Sequence, residues 1–394
     1  MPEIKTCPNC LKGDLAVFYE VPRVPVHSVL QMPTREVAVN FPKGDIALGR
    51  CSYCGFIANT VFDATVHNYS ADYEETQGFS GTFQAFHRRL ASELIAKYDL
   101  HGKELIEIGC GKGEFLSLLC EMGNNSGVGF DPAFVSSRNP YTGDAKVEFV
   151  ADFYGEKYAH VQGDFVCCKM TLEHIPDTAH FVRTVRRSVG DRYDSVVFFQ
   201  VPDMHRVLRD LAFWDIYYEH CSYFTAESLS LLFQQSGFDV LEVWTDYDGQ
   251  YLMISTKPSR TPVASAEKPD LTLLDQEIEF FTRNQKARMA SWKSKLEQTK
   301  NNGKRAVVWG SGSKGVAFLT ALNLHTPDSE IEYVVDINPY REGKYMAGTG
   351  QEIVSPAFLK RYKPDLAIAM NPIYQPEIKA DLEKLGLSTE VVAV

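Results

Sequence analysis

The stretch from Lys103 to Leu116 restricts what this chain can become more than any other. Leu105-Ile106-Glu107-Ile108 is a short apolar run of the kind found in a buried parallel strand. Gly109, Gly111 and Gly113 follow, and Glu114-Phe115-Leu116-Ser117-Leu118-Leu119 reads as the start of a helix. Glycines at a strand-to-helix turn permit positive φ and let a ligand lie against bare backbone. A second strand, Gly127-Val128-Gly129-Phe130-Asp131, ends in an acid 22 residues beyond Gly109 (131 − 109). Nucleotide-binding βαβ units carry their ribose-binding carboxylate at about that distance.

The glycine spacing is not that of a dinucleotide fold. With Glu107 ahead of it, it resembles the first motif of class I S-adenosylmethionine-dependent methyltransferases, E-x-G-x-G-x-G. The resemblance implies a Rossmann-like α/β core. Gly109 and Gly111 would flank the methionine part of the cofactor, Glu107 and Gly113 complete the motif, and Asp131 hold the ribose. It further implies that Asp152, just beyond a third strand candidate at Val147 to Val150, holds the adenine amine. Residues 67–80 are rich in aromatic and polar groups, among them Tyr69, Tyr73 and Gln77. They either cover the cofactor or pack as a linker before a helix expected from Phe83 to Tyr98. Asp164 to Met170 reads as a buried strand, and Thr171 to Pro176 resembles the post-strand x-L-E-H-x-x motif of the same family. His174 then stands at the carboxyl end of a strand, where open α/β sheets take ligands.

A chain of 394 residues calls for two or three domains. A net charge of −11 argues against a nucleic-acid partner, which would favour a basic surface. No apolar run approaches the roughly 20 residues of a membrane span, and no apolar core of a signal peptide stands near Met1; the expected compartment is the cytoplasm. The nine cysteines then suggest thiols or a metal and not disulfides. Cys7-Pro-Asn-Cys10 and Cys51-Ser-Tyr-Cys54 form two C-x-x-C pairs, four thiolates suited to a closed, structural Zn²⁺ site.

A further strand, Ser195 to Pro202, leads into Trp214-Asp215-Ile216-Tyr217-Tyr218-Glu219-His220-Cys221-Ser222-Tyr223-Phe224-Thr225. Histidine is the natural base for a carbon-bound proton near neutrality. Glu219 is positioned in sequence to orient His220, and Tyr217 to donate to a developing oxyanion. After a polar linker and a long helix expected over Leu271 to Lys300, Lys304 to Gly315 is a strand followed by G-x-G-x-x-G, and a second strand ends in Asp336. Alone, this is a dinucleotide fingerprint and suggests an NAD(P)-linked enzyme. Only about 90 residues remain, half of a doubly wound domain.

The Cys-x-x-Cys pairs, the central glycine motif, Y-Y-E-H-C-S-Y-F and the terminal G-S-x-S-K-G with D-I-N-P together resemble the three-domain sugar C-methyltransferases. That resemblance implies a zinc-binding domain (1–66), an S-adenosylmethionine-binding domain (67–257) and a helix plus half-Rossmann substrate domain (258–394). It implies a nucleotide-linked 4-keto-deoxysugar as small-molecule substrate, His220 as base, Glu219, Tyr217 and His174 as its assistants, and Ser313, Lys314, Asp336, Lys344 and Tyr345 on the nucleotide-sugar. Met370-Asn371-Pro372 departs from the family's Trp-Asn pair, which leaves the sugar open. O- or N-methylation is the alternative reaction, because fold does not select the methylated atom.

Overall fold

Three sheets organise the chain in the computed structural model, which describes residues 6–30, 32–66, 72–139, 146–261 and 267–394. His67 and Tyr69 lie outside the described residues. The first sheet is antiparallel: β1 (Leu15–Pro25), β2 (Lys43–Cys51) and β3 (Ile57–Asn59). The two C-x-x-C pairs flank it, one before β1 and one from the end of β2.

The central sheet contains β4 (Glu104–Ile108), β5 (Ser126–Phe130), β6 (Val147–Val150), β7 (Phe165–Lys169) and β8 (Val196–Pro202). A two-residue strand, β9 (Ser222–Tyr223), leaves it to extend the first sheet beside β3. The chain then returns with β10 (Phe238–Asp246) and β11 (Tyr251–Pro258). The order is β10-β11-β8-β7-β4-β5-β6, parallel from β6 through β8 and antiparallel at β11 and β10. Apolar side chains of β4, β7 and β8 point to both faces, as strands covered by helices on two sides must. One face packs on the helix Gly81–Tyr98, whose N-cap Ser80 accepts from Phe83 N, and on the helix Glu114–Gly123.

The third sheet is wholly parallel: β12 (Ala306–Trp309), β13 (Ile331–Val335), β14 (Glu352–Val354), β15 (Leu366–Ala369) and β16 (Glu390–Ala393), in the order β14-β13-β12-β15-β16. It therefore has five strands and its own reversal of direction beside β12, more than one βαβ half. The helix Thr272–Asn301 joins it to the rest. Phe281 of this helix meets Tyr19 of β1 edge-on at 5.1 Å, and Trp292 meets Phe318 of the helix Ser313–Ala321 at 5.5 Å. The first and third segments thus share one apolar core. No helix among the described residues is long and apolar enough to cross a membrane.

Candidate active site

A cavity of about 520 Å³ opens at the carboxyl ends of β4, β5 and β7 and continues to the glycine turn after β12. Strand order explains it. From β4 the chain steps to one side for β5 and β6, then returns to the other side for β7, and ligands enter at such a switch point.

Gly109 and Gly111 have φ of 71° and 54°. A Cβ on Gly109 would strike the Thr171 side chain, and one on Gly111 the Glu75 carboxylate, so the floor stays open only with glycine. Gly111 N donates to Asp131 Oδ2 at 2.9 Å and Ala133 N to Oδ1 at 2.7 Å, which fixes that carboxylate beside the turn. Glu107 accepts from Leu116 N at 2.9 Å. Burial pushes Glu107 and Glu75 each up to about 7 and raises Asp131 as well. Three acids in a poorly solvated crevice favour a cationic ligand. Tyr73 and Gln77 line the same space. Lys112 Nζ donates to Tyr73 O at 2.8 Å, and Gln77 Oε1 accepts the Tyr374 hydroxyl at 2.7 Å.

Two expected cofactor residues stand elsewhere. Gly113 packs against Phe149 and Asn139 and does not line the cavity. Asp152 also misses it: Lys157, the Tyr158 hydroxyl (2.8 Å) and Phe153 N (2.8 Å) occupy its oxygens. The backbone turns after β6 so that Phe153 and Tyr154 reach the crevice instead.

Across the cavity, residues 217–220 form a turn closed by His220 N donating to Tyr217 O at 3.2 Å. The first and last residues of a β-turn lie close together. The Tyr217 hydroxyl consequently meets His220 Nε2 at 2.8 Å, while Nδ1 has no hydrogen-bond partner. Burial drives His220 well below 6.5, with His174 and Lys314 adding to it, and drives Tyr217 well above 10. A neutral imidazole beside a neutral phenol offers a base and a hydrogen-bond donor. The His174 ring is edge-on to His220, centroids 4.9 Å apart, and burial lowers it to about 4.

Glu219 does not orient His220. It accepts from Ser28 N at 3.0 Å and Ser28 Oγ at 2.5 Å and lies 3.5 Å from His27 Nδ1, so it anchors the turn to the first segment. Successive side chains along such backbone diverge. The carboxylate beside His220 is Glu173, whose Oε1 is 3.9 Å from Nε2. Neither of its oxygens has a hydrogen-bond partner, and burial pushes it up to about 8.

The turn after β12 repeats the geometry of the first. Ser311 N donates to Asp336 Oδ2 at 2.9 Å and Asn338 N to Oδ1 at 2.8 Å. Ser313, Lys314 and Asp336 line the cavity. Lys314 Nζ is held 2.9 Å from Asp215 Oδ1 and 3.1 Å from Gln250 Oε1. Lys344 and Tyr345 fall outside: Tyr345 N donates to Met32 O at 3.1 Å, and both border a separate space of about 10 Å³. Arg341, three residues earlier, lines the cavity and donates to Ser311 Oγ at 3.1 Å and to Glu74 O. The Glu74 carboxylate also takes Arg138 and Asn338, which ties the 72–80 loop to the segment after β13. Sequence reasoning missed Arg341, Glu75 and Glu173 as site residues; a carboxylate in the L-E-H motif was a usable signal for the last.

Apart from the cavity, Cys7, Cys10, Cys51 and Cys54 converge, with Cys7–Cys54 and Cys10–Cys51 Sγ pairs both 3.7 Å apart. A tetrahedron with 2.3 Å zinc–sulfur bonds has edges of about 3.8 Å. The donor set therefore fits Zn²⁺.

Residues 83–243 match the methyltransferase domain family, and residues 263–389 match the C-methyltransferase C-terminal domain. The second match replaces the nicotinamide reading of the terminal glycine turn. The chain is 28% identical over 327 residues to the C-methyltransferase NovU of Streptomyces niveus, 78% of this chain and 75% of that one. It is 28% identical over 151 residues to the ubiquinone biosynthesis O-methyltransferase of Escherichia coli O127:H6, 34% of this chain and 62% of that one. Among solved structures, the 1,6-didemethyltoxoflavin-N1-methyltransferase of Burkholderia thailandensis with S-adenosylhomocysteine aligns with a TM-score of 0.34 at 16% identity, over 44% of this chain and 78% of that one.

Proposed function

In a chain that belongs to the multi-domain S-adenosylmethionine-dependent C-methyltransferases, as this one does, we propose that the acceptor is a nucleotide-linked keto-deoxysugar methylated on the carbon beside its ketone. One observation carries this reading: a neutral, buried imidazole–phenol pair faces the same cavity as two glycine turns, each with its own fixed aspartate. One turn serves the cofactor and leaves the other for the nucleotide of the acceptor. A carbon next to a ketone is a weak acid, so its methylation needs a base at the C–H and donors at the oxygen that becomes an enolate.

His220 takes the proton, and the high pKa of Tyr217 keeps its O–H available to the enolate oxygen. His174 lies at the same edge as a second neutral imidazole. S-adenosylmethionine would supply an electrophilic methyl group here; Gly109 and Gly111 would leave room for it, Asp131 would hold its ribose, and Glu107 and Glu75 would favour its positive charge. Gln250 and Asn371 exchange hydrogen bonds at 2.9 Å in each direction and line the cavity, so the segment that departs from the family pattern faces the acceptor and tunes which sugar fits. The four cysteines hold structural Zn²⁺.

The test is methyl transfer followed by mass on a panel of nucleotide 4-ketosugars, together with solvent deuterium exchange at the methylated carbon when S-adenosylhomocysteine replaces the methyl donor. Exchange that requires His220 supports the reading. Transfer to oxygen or nitrogen without exchange overturns it.

A further inference from the structure

One group in the cavity has no use in the mechanism above. Lys169 ends β7, an otherwise apolar strand, and its side chain is buried on the face covered by the helices Gly81–Tyr98 and Glu114–Gly123. Its Nζ lies 3.0 Å from His87 Nε2 and 3.5 Å from the centre of the Phe115 ring. Among the described residues no carboxylate closes an ion pair with it, Glu107 and Glu114 acting on it only from farther away, and yet it lines the ligand cavity. Burial of an ammonium group disfavours its charge, and the distant carboxylates offset that only in part, so its pKa is lowered. Such a group is retained where a ligand completes it.

The topology says which part of a ligand that is. The order β8-β7-β4-β5 sets Asp131, after β5, and Lys169, on β7, on opposite sides of the β4 glycine turn. A molecule with its ribose on Asp131 that crosses Gly109 arrives at the carboxyl end of β7. The far end of S-adenosylmethionine is a zwitterion. Glu107, on the same face as Lys169, suits its ammonium. Its carboxylate then requires a cation, and the others that line the cavity are engaged: Arg206 and Lys314 by Asp215, Lys112 by Tyr73 O and Ala133 O, and Arg341 by Ser311 Oγ and Glu74 O.

We propose that Lys169, supported by His87, is the carboxylate-binding subsite for the amino-acid end of the cofactor. His87 acts as a neutral acceptor: burial, with Lys169 beside it, drives it well below 6.5, so it holds the ammonium in position without repelling it. Phe115 supplies a ring face that tolerates the cation until the ligand arrives. The inference rests on the cofactor assignment and is independent of which acceptor is methylated.

The experiment is calorimetry on the full chain with S-adenosylhomocysteine and with its decarboxylated analogue, which differs only by the missing carboxylate. The wild type should bind the complete molecule roughly 10- to 100-fold more tightly, the range for a hydrogen bond to a charged group. Lys169→Met should lower affinity for S-adenosylhomocysteine to that of the analogue while changing the analogue's own affinity less than threefold. Lys169→Arg should retain most of the preference. Equal binding of the two ligands by the wild type overturns the proposal, and so does a Lys169→Met or Lys169→Gln variant that keeps the preference or weakens both ligands alike. Acceptor turnover does not enter these measurements, so a wrong acceptor leaves the result standing.

Discussion

His220 is surrounded by groups that keep its proton off. Burial, the His174 ring and Lys314 all disfavour the imidazolium, so the base form persists well below pH 6.5. The acid limb of kcat/KM should accordingly fall well below the usual histidine range, which a pH–rate profile reads directly. His220→Ala should lower turnover by roughly 10²- to 10⁴-fold with cofactor binding intact, as expected for loss of a general base. Glu173, pushed up to about 8, is mostly a neutral acid at pH 7. Glu173→Gln should therefore be nearly silent at pH 7, and should remove whatever change in rate the wild type undergoes through pH 8. On the cofactor side, Gly111→Val combines a φ of 54° with a collision at Glu75. The strain should lower stability by about 1–3 kcal/mol, and calorimetry should find cofactor affinity lowered at least about tenfold, because the added side chain fills space the ligand needs.

At the scale of elements, His205 joins three helices. It sits in the helix Met204–Arg209, with Nδ1 on Glu277 of the helix Thr272–Asn301 and Nε2 3.2 Å from Glu227 of the helix Ala226–Gln235. Burial opposes its charge, but Glu227 and Glu277 overcome that and hold its pKa up to about 9. A folded-state pKa above the unfolded value near 6.5 means stability that is fully present below pH 6.5 and lost as pH rises through 9. Denaturant titrations should find the wild type about 2–3 kcal/mol less stable at pH 9.5 than at pH 6.5 from this source. His205→Gln should flatten that slope. The turn at residues 217–220 shows the other side of element geometry. It brings the first and fourth residues together and turns the third, Glu219, toward Ser28 and His27.

At the scale of the molecule, the cysteine cluster is also a docking piece. Pro8 O accepts Ala179 N at 3.2 Å, and Asn9 Nδ2 donates to Ser228 O at 3.0 Å, so the first knuckle rests on two helices of the central domain. The same segment carries Ser28 to Glu219. Chelation, or Cys51→Ser, should release about one zinc per chain, lower the melting temperature and depress turnover more than cofactor affinity, because the His220 turn loses its anchor while the glycine floor does not. Metal analysis, calorimetry and steady-state rates on one preparation distinguish these outcomes. The sequence by itself determined the elements whose cause is local: the strand–glycine–helix unit at Lys103 to Leu116, Asp131, the two C-x-x-C pairs, and helices found within a few residues of where periodicity put them. Neighbours from distant parts of the chain were decided only by tertiary structure. Asp152 lost its expected role to a backbone turn, Glu219 to Ser28 and His27, and Lys344 with Tyr345 to packing on Met32, while Glu173, Glu75, Arg341 and Lys169 entered the cavity unannounced. A motif encodes what a residue does to its own backbone. Which partner its side chain meets depends on how strands are ordered and domains packed, and those are properties of the whole chain.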